Sequence, residues 1–364
     1  MKNLLKLKRL YILLLIPLSL ILLFLAKRSP DFAEWYALNI YPVFALSINK
    51  ISSVFPFSLM EFSLIILVPL AVFFLIFSLI KIIKKKKAFL FAKYFLNILC
   101  TASIIFGMFS FCCGTNYYRY TFSQISNLKI EKSTDKELAA LCADLAAKLN
   151  KEREKLPEDE NGIMKTSFEN YNLMAKEGSS CVNSLSQKYP TLNKNYGNVK
   201  AIKHSRIMSY TNITGVFSSF TMECNVNVDQ PDYNIASTMC HEISHIHGYM
   251  REDEANFIAY LICQESKNPE FLYSGLMLAF IYSNNALYSS NYELGRETFS
   301  LLSDEVKNDI YDNSAYWKQF EGPVAEISDA VNDTYLKAND QQDGTKSYGR
   351  VVDLLLAEYK AQKN

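Results

Sequence analysis

Residues 240–256 read CHEISHIHGYMREDEAN, and the reading of this stretch decides the fold around it. His241 and His245 are four apart, so on an α-helix they stack on one face. Gly248 supplies the residue type that permits the left-handed turn ending a helix. Glu252, Asp253 and Glu254 then crowd the first turn of a second helix, where the helix dipole favours acids. The expectation is helix, sharp turn, helix.

In that geometry both imidazoles can reach one zinc ion at about 2.0–2.1 Å. Glu242, one step round, can take a proton from the water that such an ion activates, which is the H-E-x-x-H chemistry of metallopeptidases. The chain has only four histidines, so a chance match is on the order of a few in a thousand. The bland alternative is a pair of solvated helix histidines. A catalytic zinc takes three protein ligands. Glu252 is the expected third, because it shares a face with Asn256, which can hydrogen-bond a ligand histidine from behind. Glu254 is the reserve, and His204 is possible but lies in a strand-like region. His247, roughly 200° round the helix from His245, faces away and belongs behind the site or on the surface.

Upstream the texture is different. Three runs are long enough to cross a bilayer, which takes about 20 apolar residues. They lie near 10–26, 62–83 and 89–113. A cleaved signal peptide is the alternative for the first. No small-residue cleavage site follows it, however; Lys27 and Arg28 do, as after a retained span. The N-terminal Lys2, Lys6, Lys8 and Arg9, and the KIIKKKK link between spans two and three, place both segments in the cytoplasm by the positive-inside rule. Everything after about residue 114 then lies outside. The loop 29–61 suggests one or two interfacial helices with Trp35 and Tyr36 near headgroup level; burial against the soluble part is the alternative.

From 115 to 364 the pattern is mostly helical. Residues 136–154, a short helix stopped by Pro190, and 254–264, 270–288, 293–310 and 323–338 all read as helices. The span 200–227, rich in β-branched and aromatic residues with turn formers at 211–215, reads as two or three strands. The chain has formal net charge +1, which gives no support for nucleic-acid binding. Eight cysteines occur without metal-type spacing; Cys240 and Cys263 read as small core residues.

HEISH followed by Glu252 in EDEAN resembles the gluzincin layout of zinc peptidases. The wider pattern resembles the domain-of-unknown-function 3810 family of bacterial membrane proteins. YPVFALSINKISSVFPFSLMEF (41–62), GTNYYR (114–119), FTMECNVN (220–227), HEISHIHGYMREDEANFIAYL (241–261) and DTYLKANDQQDGTKSYGRVVDLLL (333–356) carry that resemblance. It implies a three-span α-helical anchor over 1–114 and a helix-rich α+β, zincin-like external domain with a small sheet over 115–364. The gluzincin layout also implies an edge strand before the motif helix, to which substrate backbone adds with little sequence preference. GVFSSFTMECNVN (215–227) stands there, with Phe220, Thr221, Glu223 and Asn225 as its candidate residues. An oxyanion-stabilising side chain is expected as well; Tyr348 and Arg350, or Tyr335, are candidates, each with core packing as the alternative.

The expected function is therefore a membrane-anchored peptidase with one Zn2+, acting on a peptide or protein outside the cytoplasmic membrane. Two other classes stay open. One is a non-catalytic zinc-binding sensor or scaffold. The other is a channel or transporter component, which would want an ionisable residue inside a span. The oligomeric state is not legible.

Overall fold

Long apolar runs become helices because a chain leaving water must satisfy its own backbone polar groups. The structure, a computed structural model, describes residues 8–85, 88–341 and 350–363. It is mostly helical, with a small three-stranded sheet. The chain divides into two units, the first reaching to Arg119 and including Ser218–Met222, the second holding Tyr120–Phe217 and the chain from Glu223 onward.

In the first unit, α1 (Leu15–Arg28) continues a 3-10 turn that begins at Lys8. Then follow α2 (Pro30–Asn39), α3 (Tyr41–Ser52), α4 (Leu59–Lys85) and α5 (Ala88–Cys112). Among the described residues, three helices are long and apolar enough to cross a membrane: Lys8–Arg28, Leu59–Lys85 and Phe89–Cys112. The expected runs fall inside or within a residue of them. Ser29 caps α2 by accepting from the Phe32 amide, with Pro30 pre-set for the first turn. The loop 29–61 is thus mainly helix. Trp35 is exposed and Tyr36 is buried, so neighbouring aromatics have opposite surroundings.

The second unit runs α6 (Phe122–Ser126), α7 (Asp135–Arg153), α8 (Tyr171–Leu185), β1 (Lys200–Ala201), α9 (Ser205–Ser209), β2 (Gly215–Ser218), β3 (Glu223–Val226), α10 (Asp232–Ile246), α11 (Glu252–Gln264), α12 (Pro269–Ser290), α13 (Tyr292–Ser300), α14 (Asp304–Lys318), α15 (Pro323–Ala338) and α16 (Val351–Lys363). A capping box between Thr134 and Glu137 starts α7. Its Leu138, Leu141, Leu145 and Leu149 are buried, as three- and four-residue spacing requires for one inward face. Beneath this layer Asp309 accepts from Arg153, Tyr273 and the Met164 amide, which satisfies a carboxylate with no exposure at all.

Three sequence expectations change. The helix expected over 293–310 is broken at Leu301–Ser303, where Asn150 accepts from the Ser303 amide and donates to the Leu301 carbonyl. Part of the region read as strand is the one-turn helix α9. The strand order is β1-β3-β2, with β3 parallel to β1 in the register Lys200↔Asn225 and Ala201↔Val226. Glu223 and Asn225 therefore sit on the central strand, where both backbone edges are paired, and do not form an edge for substrate. Phe220 and Thr221 lie in the turn after β2, the Thr221 hydroxyl donating to Ser218 Oγ at 2.8 Å.

Candidate metal centre

The motif helix α10 is buried on nearly every side. It packs on β3, α8, α11 and α12. Its end is set by Gly248, at φ +86°, whose amide bonds to the His245 carbonyl while that of Tyr249 bonds to Ser244. That left-handed turn, accessible without strain to glycine, has two consequences. It brings the Tyr249 carbonyl back to 2.7 Å from His245 Nδ1. It also starts α11 so that Glu252 lies under the histidine pair.

His241, His245 and Glu252 each offer one donor atom, all within 4.8 Å of one another. His241 Nε2 is 3.2 Å from Glu252 Oε2, and His245 Nε2 is 3.8 Å from Oε1. The rings stand at 90° with centroids 4.6 Å apart. Both Nδ1 atoms are engaged behind the site. That of His245 donates to the Tyr249 carbonyl, and that of His241 pairs with Asn256 Oδ1 at 2.9 Å. An acceptor behind each ring fixes the tautomer, leaving the Nε2 lone pairs to converge in front. This is the only such group of His, Cys, Asp or Glu among the described residues.

Tyr282 was not legible in the sequence. Its hydroxyl accepts from Asn256 Nδ2 at 3.3 Å, which orients the amide so that Oδ1 faces His241. It comes from α12, 26 residues beyond Asn256, so no local pattern points to it.

Glu242 is buried, and its Oε2 has no hydrogen-bond partner. Burial pushes its carboxyl up to about 8, opposed by His241 and reinforced by Glu252. Burial also works against charge on His241, but the Glu252 hydrogen bond and charge prevail and raise it to about 9. His245 is pushed by burial down to about 4. A cation held by the two Nε2 atoms would displace the His241 proton and favour the Glu242 carboxylate over its acid. Gly215 of β2 closes over this region. A Cβ there would collide with Glu242 Oε1 and lie 2.7 Å from Thr238 Cγ2, so a larger residue would have to push the Glu242 and Thr238 side chains aside.

Other candidates fall elsewhere. Glu254 is turned away, accepting from the Phe122 amide at 2.9 Å and from Arg251 at 2.7 Å. His247 is not on the surface: it is buried, with Nδ1 2.8 Å from the Ile243 carbonyl and Nε2 3.1 Å from that of Lys194. His204 stands just before α9, outside the cluster. Arg350 pairs with Asp253 at 3.4 Å, beside Glu252. Tyr335 is exposed on α15, and Tyr348 lies outside the described residues. Cys240 and Cys263 are buried thiols with sulfurs 3.6 Å apart, as small core residues should be.

Fold and site together define a mostly helical protein with three helices able to cross a membrane and one His-His-Glu cluster among the described residues. The chain belongs to the family described as protein of unknown function (DUF3810), whose model matches residues 36–356. No curated protein and no solved structure matches it.

Proposed function

We propose that this chain is a membrane-anchored zinc metallopeptidase that hydrolyses peptide bonds outside the cytoplasmic membrane. The observation that carries the reading is the convergence of two imidazole nitrogens and a carboxylate within 4.8 Å, beside a buried glutamate with an unpartnered oxygen. Two nitrogens and an oxygen are the protein donor set of a catalytic zinc, whose fourth ligand is water. His241, His245 and Glu252 would hold the ion. When bound, zinc supplies Lewis acidity to the scissile carbonyl and lowers the pKa of water. Glu242 takes the proton of the attacking water and passes it to the leaving amine. Asn256 and the Tyr249 carbonyl keep both ligand rings in register.

Extended substrate backbone has its natural partner in β2, the outer strand nearest Glu242, rather than in β3. A general base has no use in pure metal storage, so the buried Glu242 favours hydrolysis over a zinc-binding sensor or scaffold. Metal analysis of the purified full chain in lipid nanodiscs, with cleavage of a broad peptide library, tests the reading. Stoichiometric zinc with cleavage supports it; a chain that binds no zinc refutes it.

Asn256→Ala removes the acceptor behind His241. It is expected to weaken zinc binding by about 10–100-fold, the usual cost of losing such a partner, as measured by chelator competition. Tyr282→Phe should cost less, since it loosens the amide without deleting it.

The orientation rests on basic residues. Lys81, Lys84 and Lys85 end α4, with Lys86 and Lys87 directly after, and a cluster of that size is retained in the cytoplasm. External protease on cells with an accessible membrane surface is expected to digest the chain beyond residue 115. Full protection would reverse the assignment.

A further inference from the structure

We propose that α2, α3 and the turn after α3 form a lipid-binding surface, seated in the headgroup–acyl boundary of the bilayer through Trp35, Leu38, Val43, Phe44, Ile51 and Val54. The inference rests on reading α1, α4 and α5 as spans and adds a second mode of membrane contact to them. Its basis is that both short helices are apolar on two opposite faces. On the inner side Ala33, Tyr36 and Ala37 of α2, and Tyr41 and Ala45 of α3, are buried. On the outer side the six residues named above are exposed, Trp35 to 52% and Ile51 to 66%. A helix with apolar residues on both sides wants cover on both sides, from protein or from lipid.

The inner face is locked. The Tyr36 hydroxyl donates to the Phe111 carbonyl of α5 at 2.9 Å. Glu34 takes both ends of the Arg119 guanidinium, at 2.9 and 2.7 Å, in a pair with little solvent access. Trp35 lies between these two anchors in sequence, and at about 100° per residue it is turned outward.

Continuity identifies the covering partner. α2 begins two residues after Arg28 ends α1, and α3 stops at Ser52, seven before α4 opens at Leu59. Both ends of the segment are therefore held where spans leave the membrane. The outer face runs on through Phe55, Phe57 and Phe62, neighbouring ring centroids being 5.7 Å apart. It then joins α4, which has no buried residue and presents its apolar surface on all sides. A surface continuous with that helix meets the same solvent, hydrocarbon. The polar members of the outer face, Asp31, Asn39 and Lys50, suit the headgroup layer, and tryptophan is the residue type enriched there.

The chain has two tryptophans. Trp317→Phe leaves Trp35 as the sole reporter in the full chain, reconstituted in phosphatidylcholine vesicles. Bromine near the headgroup end of the acyl chains is expected to cause roughly a twofold loss of fluorescence, as for an interfacial tryptophan. Bromine near the chain ends should quench less, and aqueous acrylamide little. If Trp317→Phe does not fold, the difference between wild type and Trp35→Phe isolates the same signal. Quenching by acrylamide alone means a wet surface, and resistance to both quenchers means a protein partner or second copy; either overturns the proposal. Carbonate extraction of the same vesicles separates the two levels. A chain that resists extraction but shows no bromine quenching keeps its spans and loses this surface, whereas a chain that is extracted loses both.

Discussion

Glu242→Gln is expected to keep zinc and fold while lowering peptide turnover by roughly 10²–10⁴-fold, the range for loss of a general base. The side chain is 3% exposed and close to isosteric with glutamine, so the packing against β2 survives. It is not one of the three clustered donors, so metal binding should not depend on it. His241→Ala is expected to lose zinc and activity together, since a two-donor protein site cannot hold zinc against competing chelators. The split between these two variants is the signature of hydrolysis. Full cleavage by Glu242→Gln would remove the base from the mechanism. Zinc binding by wild type and Glu242→Gln but not by His241→Ala, with no peptide cleaved by wild type, would favour a sensor.

The second large effect separates two neighbouring acids. Glu252→Ala removes the carboxylate that faces both Nε2 atoms. Zinc affinity should fall by two or more orders of magnitude, beyond the roughly 10–100-fold cost of losing an outer partner, while thermal stability changes little. Glu254→Ala should do the reverse. Its carboxylate is buried and holds the Phe122 amide and Arg251; removing it leaves a buried donor unpaired, which costs about 1–3 kcal/mol. Zinc titration and melting of the two variants side by side check the assignment. Equal zinc affinities would contradict it.

How much of this was legible follows from how local each signal is. The apolar helices needed only run length. The His241–His245 face, the Gly248 turn and the shared face of Glu252 and Asn256 are all set within about 16 consecutive residues, and the structure brings these groups round the histidine pair. What the sequence could not yield depends on distant partners. β3 is central because two residues at Lys200–Ala201 pair with it, and a four-residue strand carries no mark of which edge is occupied. The break at Leu301–Ser303 depends on Asn150, some 150 positions away. Tyr282 reaches Asn256 only through the packing of α12 on α11. His247 was legible as facing away from the cluster, but not as buried, because its partners lie around Lys194 and Tyr196.

The most direct test of the central claim is zinc K-edge absorption on the purified full chain, with anomalous diffraction to place the ion. The account predicts one zinc per chain, held by two histidine nitrogens at about 2.0–2.1 Å and a carboxylate oxygen. The ion should sit between His241, His245 and Glu252, and its signal should vanish in His241→Ala. Zinc bound through cysteine sulfur, or found at His204 or Glu254, or unchanged in His241→Ala, would contradict it.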